Sequence, residues 1–155
     1  MNIVIAVDSF KGTLSSMEAG TVIKNAVKKV MPDASVRVCP LADGGEGTVE
    51  ALTLGMGGVL ETITVTGPLG TPVECVYGIL ENRRTAIIEM SGAAGITLVP
   101  AQDRNPLNTT TYGVGEVLKD AVSKKCRHFI IGIGGSATND GGTGILQALG
   151  YGLLY

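Results

Sequence analysis

HFIIGIGGSATNDGG, residues 128–142, is the stretch from which the fold is read. Phe129 to Ile133 have the apolar content of a short buried strand, and side-chain bulk then almost vanishes. Gly132, Gly134, Gly135, Gly141 and Gly142 leave the backbone free to adopt positive φ and to approach a ligand closely. Ser136, Thr138, Asn139 and Asp140 add hydroxyl, amide and carboxylate groups. Ile145, Leu146 and Leu149 then predict the apolar face of a helix. A strand, a glycine loop and a helix N-terminus together suit an anion, because unpaired N–H groups and the positive end of the helix dipole face it.

Working outward, the N-terminal part of the chain follows the same rhythm. Residues 3–7 (IVIAV) are a continuous apolar run, the pattern of a strand buried on both faces of a parallel sheet, and Asp8 stops it. A helix follows DSFKGTLSS. Ser15 and Glu18 have capping-box spacing, and Ala19, Val22, Ile23, Ala26, Val27 and Val30 share one helical face. Val36 and Val38 mark a second strand closed by Pro40, then come PLADGGEGT and a helix carrying Val49, Leu52 and Leu54. Strand, loop and helix twice over predict a doubly wound α/β sheet with helices on both faces.

The rhythm changes near residues 55–58. Residues 61–66 alternate, with Ile63 and Val65 on one face and threonines on the other. Gly67-Pro68-Leu69-Gly70 is a turn, and residues 73–80 and 85–90 are further strands joined by a polar turn over 81–84. This predicts a smaller, antiparallel β-rich lobe over residues 59–111, set into an α/β domain made of residues 1–58 and 112–155. Residues 100–111 are a mainly polar loop containing RNPLNTTT, and Val114, Val117, Leu118, Ala121 and Val122 form another amphipathic helix.

Composition narrows the function. The 155 residues carry a net charge of −2, no basic block, no Trp, two Phe and four Tyr, which argues against nucleic acid as a partner. No apolar run approaches the roughly 20 residues of a membrane span, so no membrane partner is expected. Cys39, Cys75 and Cys126 are odd in number and form no CxxC pair. They read as reduced thiols of a cytoplasmic protein.

The chemistry lies after the strands. In an open parallel sheet, ligands bind at the carboxyl edge. Loops remote in sequence would therefore gather Asp8, Ser9, Lys11, Asp43, Glu46, Ser136, Asn139 and Asp140 at one cleft. Carboxylates, a lysine and glycine loops suit a phosphorylated ligand bound with a divalent cation. No Gly-Lys-Ser/Thr occurs, so this is no P-loop. Residues 132–137 fit the loose dinucleotide pattern G-x-G-x-x-A, but the acid expected about 20 residues later is missing. Each feature also has a plainer reading. Lys11 alone would be a solvated lysine, Asp43 to Gly47 and Asn139 to Gly141 would be turns, and His128 a structural residue at a strand start.

DSFKGTLSS, PLADGGEGT, NPLNTTTYG and IGIGGSATNDGG, in this order and spacing, resemble the N-terminal part of bacterial glycerate kinases of the first class. The resemblance implies a Rossmann-like domain beside a second domain of different topology. It implies a cytoplasmic, ATP-dependent kinase that phosphorylates a hydroxyl of D-glycerate with Mg²⁺. Carried onto this chain, Asp8, Lys11, Asp43 and Asp140 would be the catalytic set, with Asp43 and Asp140 as Mg²⁺ ligands. Ser9, Gly44, Gly45, Glu46, Gly134, Gly135, Ser136 and Asn139 would hold substrate and phosphate. Which aspartate is base and which holds metal stays open. Members of that family are much longer, so the fold is expected to be incomplete relative to theirs, with an exposed sheet edge that would favour a homo-oligomer. The alternatives are a nucleotide- or phosphate-binding module without catalysis, and an NAD-dependent oxidoreductase.

Overall fold

The computed structural model describes residues 1–10, 12–80 and 84–152. Lys11, most of the turn expected at 81–84 and the last three residues lie outside them.

The strands form two sheets. β1 (Asn2–Val7) pairs in parallel with β2 (Ser35–Pro40), and α1 (Ser16–Val30) crosses over between them. The Ser15 and Glu18 capping box forms: the Ser15 hydroxyl accepts from the Glu18 N–H, and the Glu18 carboxylate accepts from the Ser15 N–H. The expectation that β1 is buried on both faces is corrected. Ile5 is buried while Val4, on the other face, is 66% exposed. α1 covers one face only, with Gly20 seated against Val38, and the rest of the predicted stripe is left half-covered, Val22 and Val30 being exposed.

The second sheet has the order β3-β4-β5-β6, built from Val59–Thr66, Pro72–Leu80, Thr85–Glu89 and His128–Gly132. The first three strands are antiparallel, as their alternation predicts, and β6 adds in parallel to β5. The strand of the opening stretch therefore joins the meander strands rather than β1 and β2. Ile130 and Ile131 pair with Ile87 and Ile88, and burying those two central isoleucines fixes the register.

Helices cover both faces of this mixed sheet. On one face, Val65, Cys75, Tyr77, Ala86 and Ile88 pack against Val114, Val117 and Ala121 of α4 (Tyr112–Ser123). On the other, Val49 of α2 (Thr48–Gly55) packs against Leu80 and Ile87. Gly78 of β4 lacks a side chain where Thr53 of α2 lies against it. α3 (Met90–Ala94) follows β5, and α5 (Thr143–Ala148) packs on α4, where Gly115 lets Ala148 and Ile145 approach closely.

One buried polar group ties α4 to the sheet. The Tyr77 hydroxyl donates to Asp120 at 2.6 Å, and Lys124 joins Asp120 to Glu61 of β3, at 3.0 Å from each. Burial and the adjoining Asp120 carboxylate push the Tyr77 phenol well above its usual range. All three cysteines are free, two of them buried, and burial pushes the Cys75 thiol up to about 11.

Candidate functional site

Three loops that leave strand ends lock together. The Gly134 N–H donates to the Gly44 carbonyl at 2.9 Å, so the 132–136 loop lies directly on the 43–47 loop. The segment after β5 docks on the far end of the same loop: the Ile96 N–H donates to the Gly135 carbonyl, and the Ala137 N–H to the Ala94 carbonyl. Gly135, at φ +71°, lies against Ser91.

The first predicted loop reaches this assembly through a cavity of about 550 Å³. Asp8, Ser9, Glu46, Gly47 and Glu89 line it, with Phe10, Leu41, Leu60 and Val76 as apolar wall. Asp8 is exposed, one carboxylate oxygen accepting from the Ser9 N–H at 2.6 Å. Asp43 is also exposed, and its carboxylate accepts from the Gly45 N–H at 3.0 Å, which shapes the turn. Asp8, Ser9 and Glu46 thus line one cavity, while Gly134 lies against Gly44 and Gly45. Ser136 lines a separate, smaller cavity. Asn139 is exposed on the loop.

Asp140 lines neither cavity. One of its oxygens accepts from the Thr111 N–H and hydroxyl, both at 2.8 Å, and from the Gly144 N–H at 3.2 Å. The other accepts from the Gly142 N–H and the Thr138 hydroxyl. Burial opposes its charge, but the bonds from Thr111, Gly142 and Gly144 outweigh burial and hold the carboxyl below its usual range. The helix end expected to face an anion is therefore already filled. The Gly144 N–H goes to Asp140 and the Ile145 N–H to the Thr111 hydroxyl, and the helix itself is only six residues long.

Glu89 was not singled out from the sequence. It ends β5 as Asp8 follows β1, an acid closing an apolar run, and that is the signal that could have found it. Its carboxylate accepts from the Val49 N–H at 3.2 Å and from the N–H groups of Gly47 and Thr48. α2 begins at Gly47 with no side-chain cap of its own, so Glu89 caps it from across the fold. Burial pushes Glu89 up, the three N–H groups pull it down, and Glu46 adds repulsion; the net direction is upward. A carboxyl raised on folding loses stability as pH climbs past its ordinary value. Glu89→Gln keeps an acceptor and removes that cost, so it is expected to leave thermal stability at pH 7 unchanged or higher. Glu89→Ala orphans buried N–H groups and is expected to lose about 1–3 kcal/mol. Denaturant unfolding of both variants checks this, and equal losses would remove the capping role.

No group of three or more His, Cys, Asp or Glu side chains suited to a metal ion occurs among the described residues. Of the expected metal ligands, Asp140 accepts hydrogen bonds on both oxygens and Asp43 accepts from the Gly45 N–H. No described helix is long and apolar enough to cross a membrane.

Comparison with known proteins agrees with the motifs. The sequence profile of the glycerate kinase family matches residues 3–155. A glycerate kinase of Bacillus subtilis strain 168 is 52% identical over 154 residues, which are 99% of this chain and 40% of that protein. A glycerate 2-kinase of Escherichia coli strain K12 is 49% identical over 97% of this chain and 39% of its own length. A crystal structure from Salmonella typhimurium LT2 that carries the name glycerate kinase 2 superposes with a TM-score of 0.89 at 50% identity, covering 97% of this chain and 41% of that one. The chain spans about 40% of the length of the curated relatives it matches. With a family profile matched almost end to end and the family's motifs gathered at the strand ends, the chain belongs to the glycerate kinase family.

Proposed function

We propose that the chain carries the substrate-handling part of an ATP-dependent glycerate kinase, which moves the γ-phosphoryl group of ATP to a hydroxyl of D-glycerate. The observation that carries this reading is the packing of the 43–47 and 132–136 loops onto one another beside the cavity that holds Asp8. Phosphoryl transfer asks mainly for positioning and for neutralisation of charge. In this reading a carboxylate at the strand ends takes the proton of the attacking hydroxyl. The hydroxyl oxygen bonds to the γ-phosphorus, the bond from that phosphorus to the bridging oxygen breaks, and ADP leaves. Lys11 neutralises the phosphoryl charge, while the amide of Gly135 and the hydroxyl of Ser136 hold anionic oxygens. Asp43, Gly44, Gly45 and Glu46 shape the cavity rim, and Asp140 braces the loop that carries Asn139.

The described carboxylates do not fit a protein-built Mg²⁺ cage, and no step is routed through the metal. In this reading Mg²⁺ arrives with the nucleotide, held mostly by phosphate and water.

A coupled ADP-release assay with ATP and D-glycerate tests the reading, and glycerate-dependent ADP formation is the expected result. The competing reading is binding without transfer. ATP-induced stabilisation with no ADP release would select it. Stabilisation by NAD alone would overturn both.

A further inference from the structure

The smaller cavity, about 290 Å³, shares no lining residue with the larger one and differs from it in chemistry. Asp8, Glu46, Glu50 and Glu89 make the large cavity acidic, whereas no carboxylate lines the small one. Its polar residues are Arg104, Asn105, Thr109, Ser136 and Thr138, against the apolar wall of Val99.

The hydrogen bonds in the small cavity leave mostly donors over. The Asn105 side-chain oxygen accepts from the Leu107 N–H at 3.0 Å, and the Ser136 hydroxyl oxygen accepts from the Thr138 N–H at 3.2 Å. The Thr109 hydroxyl donates to the Ala137 carbonyl at 2.9 Å, and the Thr138 hydroxyl donates to Asp140. What has no partner among the described residues is the Asn105 NH₂, the Ser136 hydroxyl hydrogen and the two outer nitrogens of Arg104. The Arg104 Nε–H donates to the Val99 carbonyl at 3.2 Å, which fixes the guanidinium plane. A planar guanidinium, an amide NH₂ and a hydroxyl lining one cavity that no carboxylate lines suit a carboxylate held by two parallel hydrogen bonds.

We propose that this second cavity recognises the carboxylate of a small hydroxy acid, and that Arg104 sets that specificity. The identification of the acid as D-glycerate rests on the kinase reading above. Ser136 links the two cavities' tasks, since the loop that meets Gly44 at Gly134 reaches the small cavity two residues later. The same donors could meet a phosphate, so the test separates the two anions.

Isothermal titration of D-glycerate, inorganic phosphate and ADP into the 155-residue chain and its Arg104→Gln variant decides the matter. The variant is expected to weaken D-glycerate binding by roughly tenfold or more and to leave ADP binding unchanged. Should Arg104→Gln disturb folding, Ser136→Ala, which keeps the guanidinium, is expected to weaken D-glycerate by several-fold in the same titration. The proposal is overturned if the wild-type chain does not bind D-glycerate, if both variants bind it as well as wild type, or if phosphate and ADP lose affinity in place of glycerate. Arg104-dependent glycerate binding without ADP release would overturn the kinase reading and leave this assignment standing.

Discussion

Asp140→Ala is expected to lower the thermal unfolding midpoint by about 10 °C, the largest effect of any single acid in the loops. The carboxylate accepts from the main chain at Thr111, Gly142 and Gly144 and from the Thr111 and Thr138 hydroxyls. These bonds fasten the starts of α4 and α5 to each other and to the glycine loop. Hydrogen bonds to a charged group contribute about 1.5–3 kcal/mol each, but they share one half-buried group, so a total near 3 kcal/mol is expected. In a domain of this size each kcal/mol moves the midpoint by about 2–4 °C.

The same bonds give a pH signature. The folded-state pKa of Asp140 lies below its ordinary value because its hydrogen bonds outweigh burial. Its contribution to stability is therefore complete above the ordinary aspartate pKa and is lost as pH falls through the depressed one, in the region below about pH 4. Asp140→Asn should flatten that part of the acid limb in calorimetry. A variant that keeps wild-type stability yet loses turnover would return Asp140 to direct chemistry.

Gly132→Ala is expected to cost about 2 kcal/mol and to abolish glycerate-dependent ADP release. The backbone of Gly132 has no positive φ, so the cause is space rather than conformation. A methyl group there would meet the Gly44 carbonyl oxygen at 2.5 Å and its carbon at 3.1 Å. That carbonyl is also the acceptor for the Gly134 N–H. Neither backbone can yield without parting the two loops, and overpacking of this kind costs about 1–3 kcal/mol. Gly141→Ala is the informative contrast: its φ is +63° with nothing within 4 Å of the added carbon. It should cost about 1–2 kcal/mol through backbone strain and spare turnover. Wild-type activity in Gly132→Ala would mean that the contact between the loops is dispensable.

Much of this was legible along the chain. The Ser15–Glu18 capping box, the alternation of Ile63 and Val65, and the stripe on α4 are local patterns, and local patterns declare themselves by spacing. The acids and glycines that follow the strands were legible for the same reason. Other features were not. β6 has the same apolar look whether it pairs with β1 or with β5, because an unbroken apolar run specifies burial without naming the neighbour. IVIAV predicts burial for Val4, which is exposed, because nothing in the run marks which face a helix will cover.

The sequence by itself determined the strands and the longer helices, the capping of α1, the loops rich in glycine and acid, and the family, since each depends on residues close together or on motif order. Only the tertiary structure decided what each acid does. Asp8 opens into a cavity, Glu89 caps a helix 40 residues away in sequence, and Asp140 is bonded on both oxygens. A carboxylate's task depends on the donors that surround it, and those donors arrive from remote parts of the chain only when it folds.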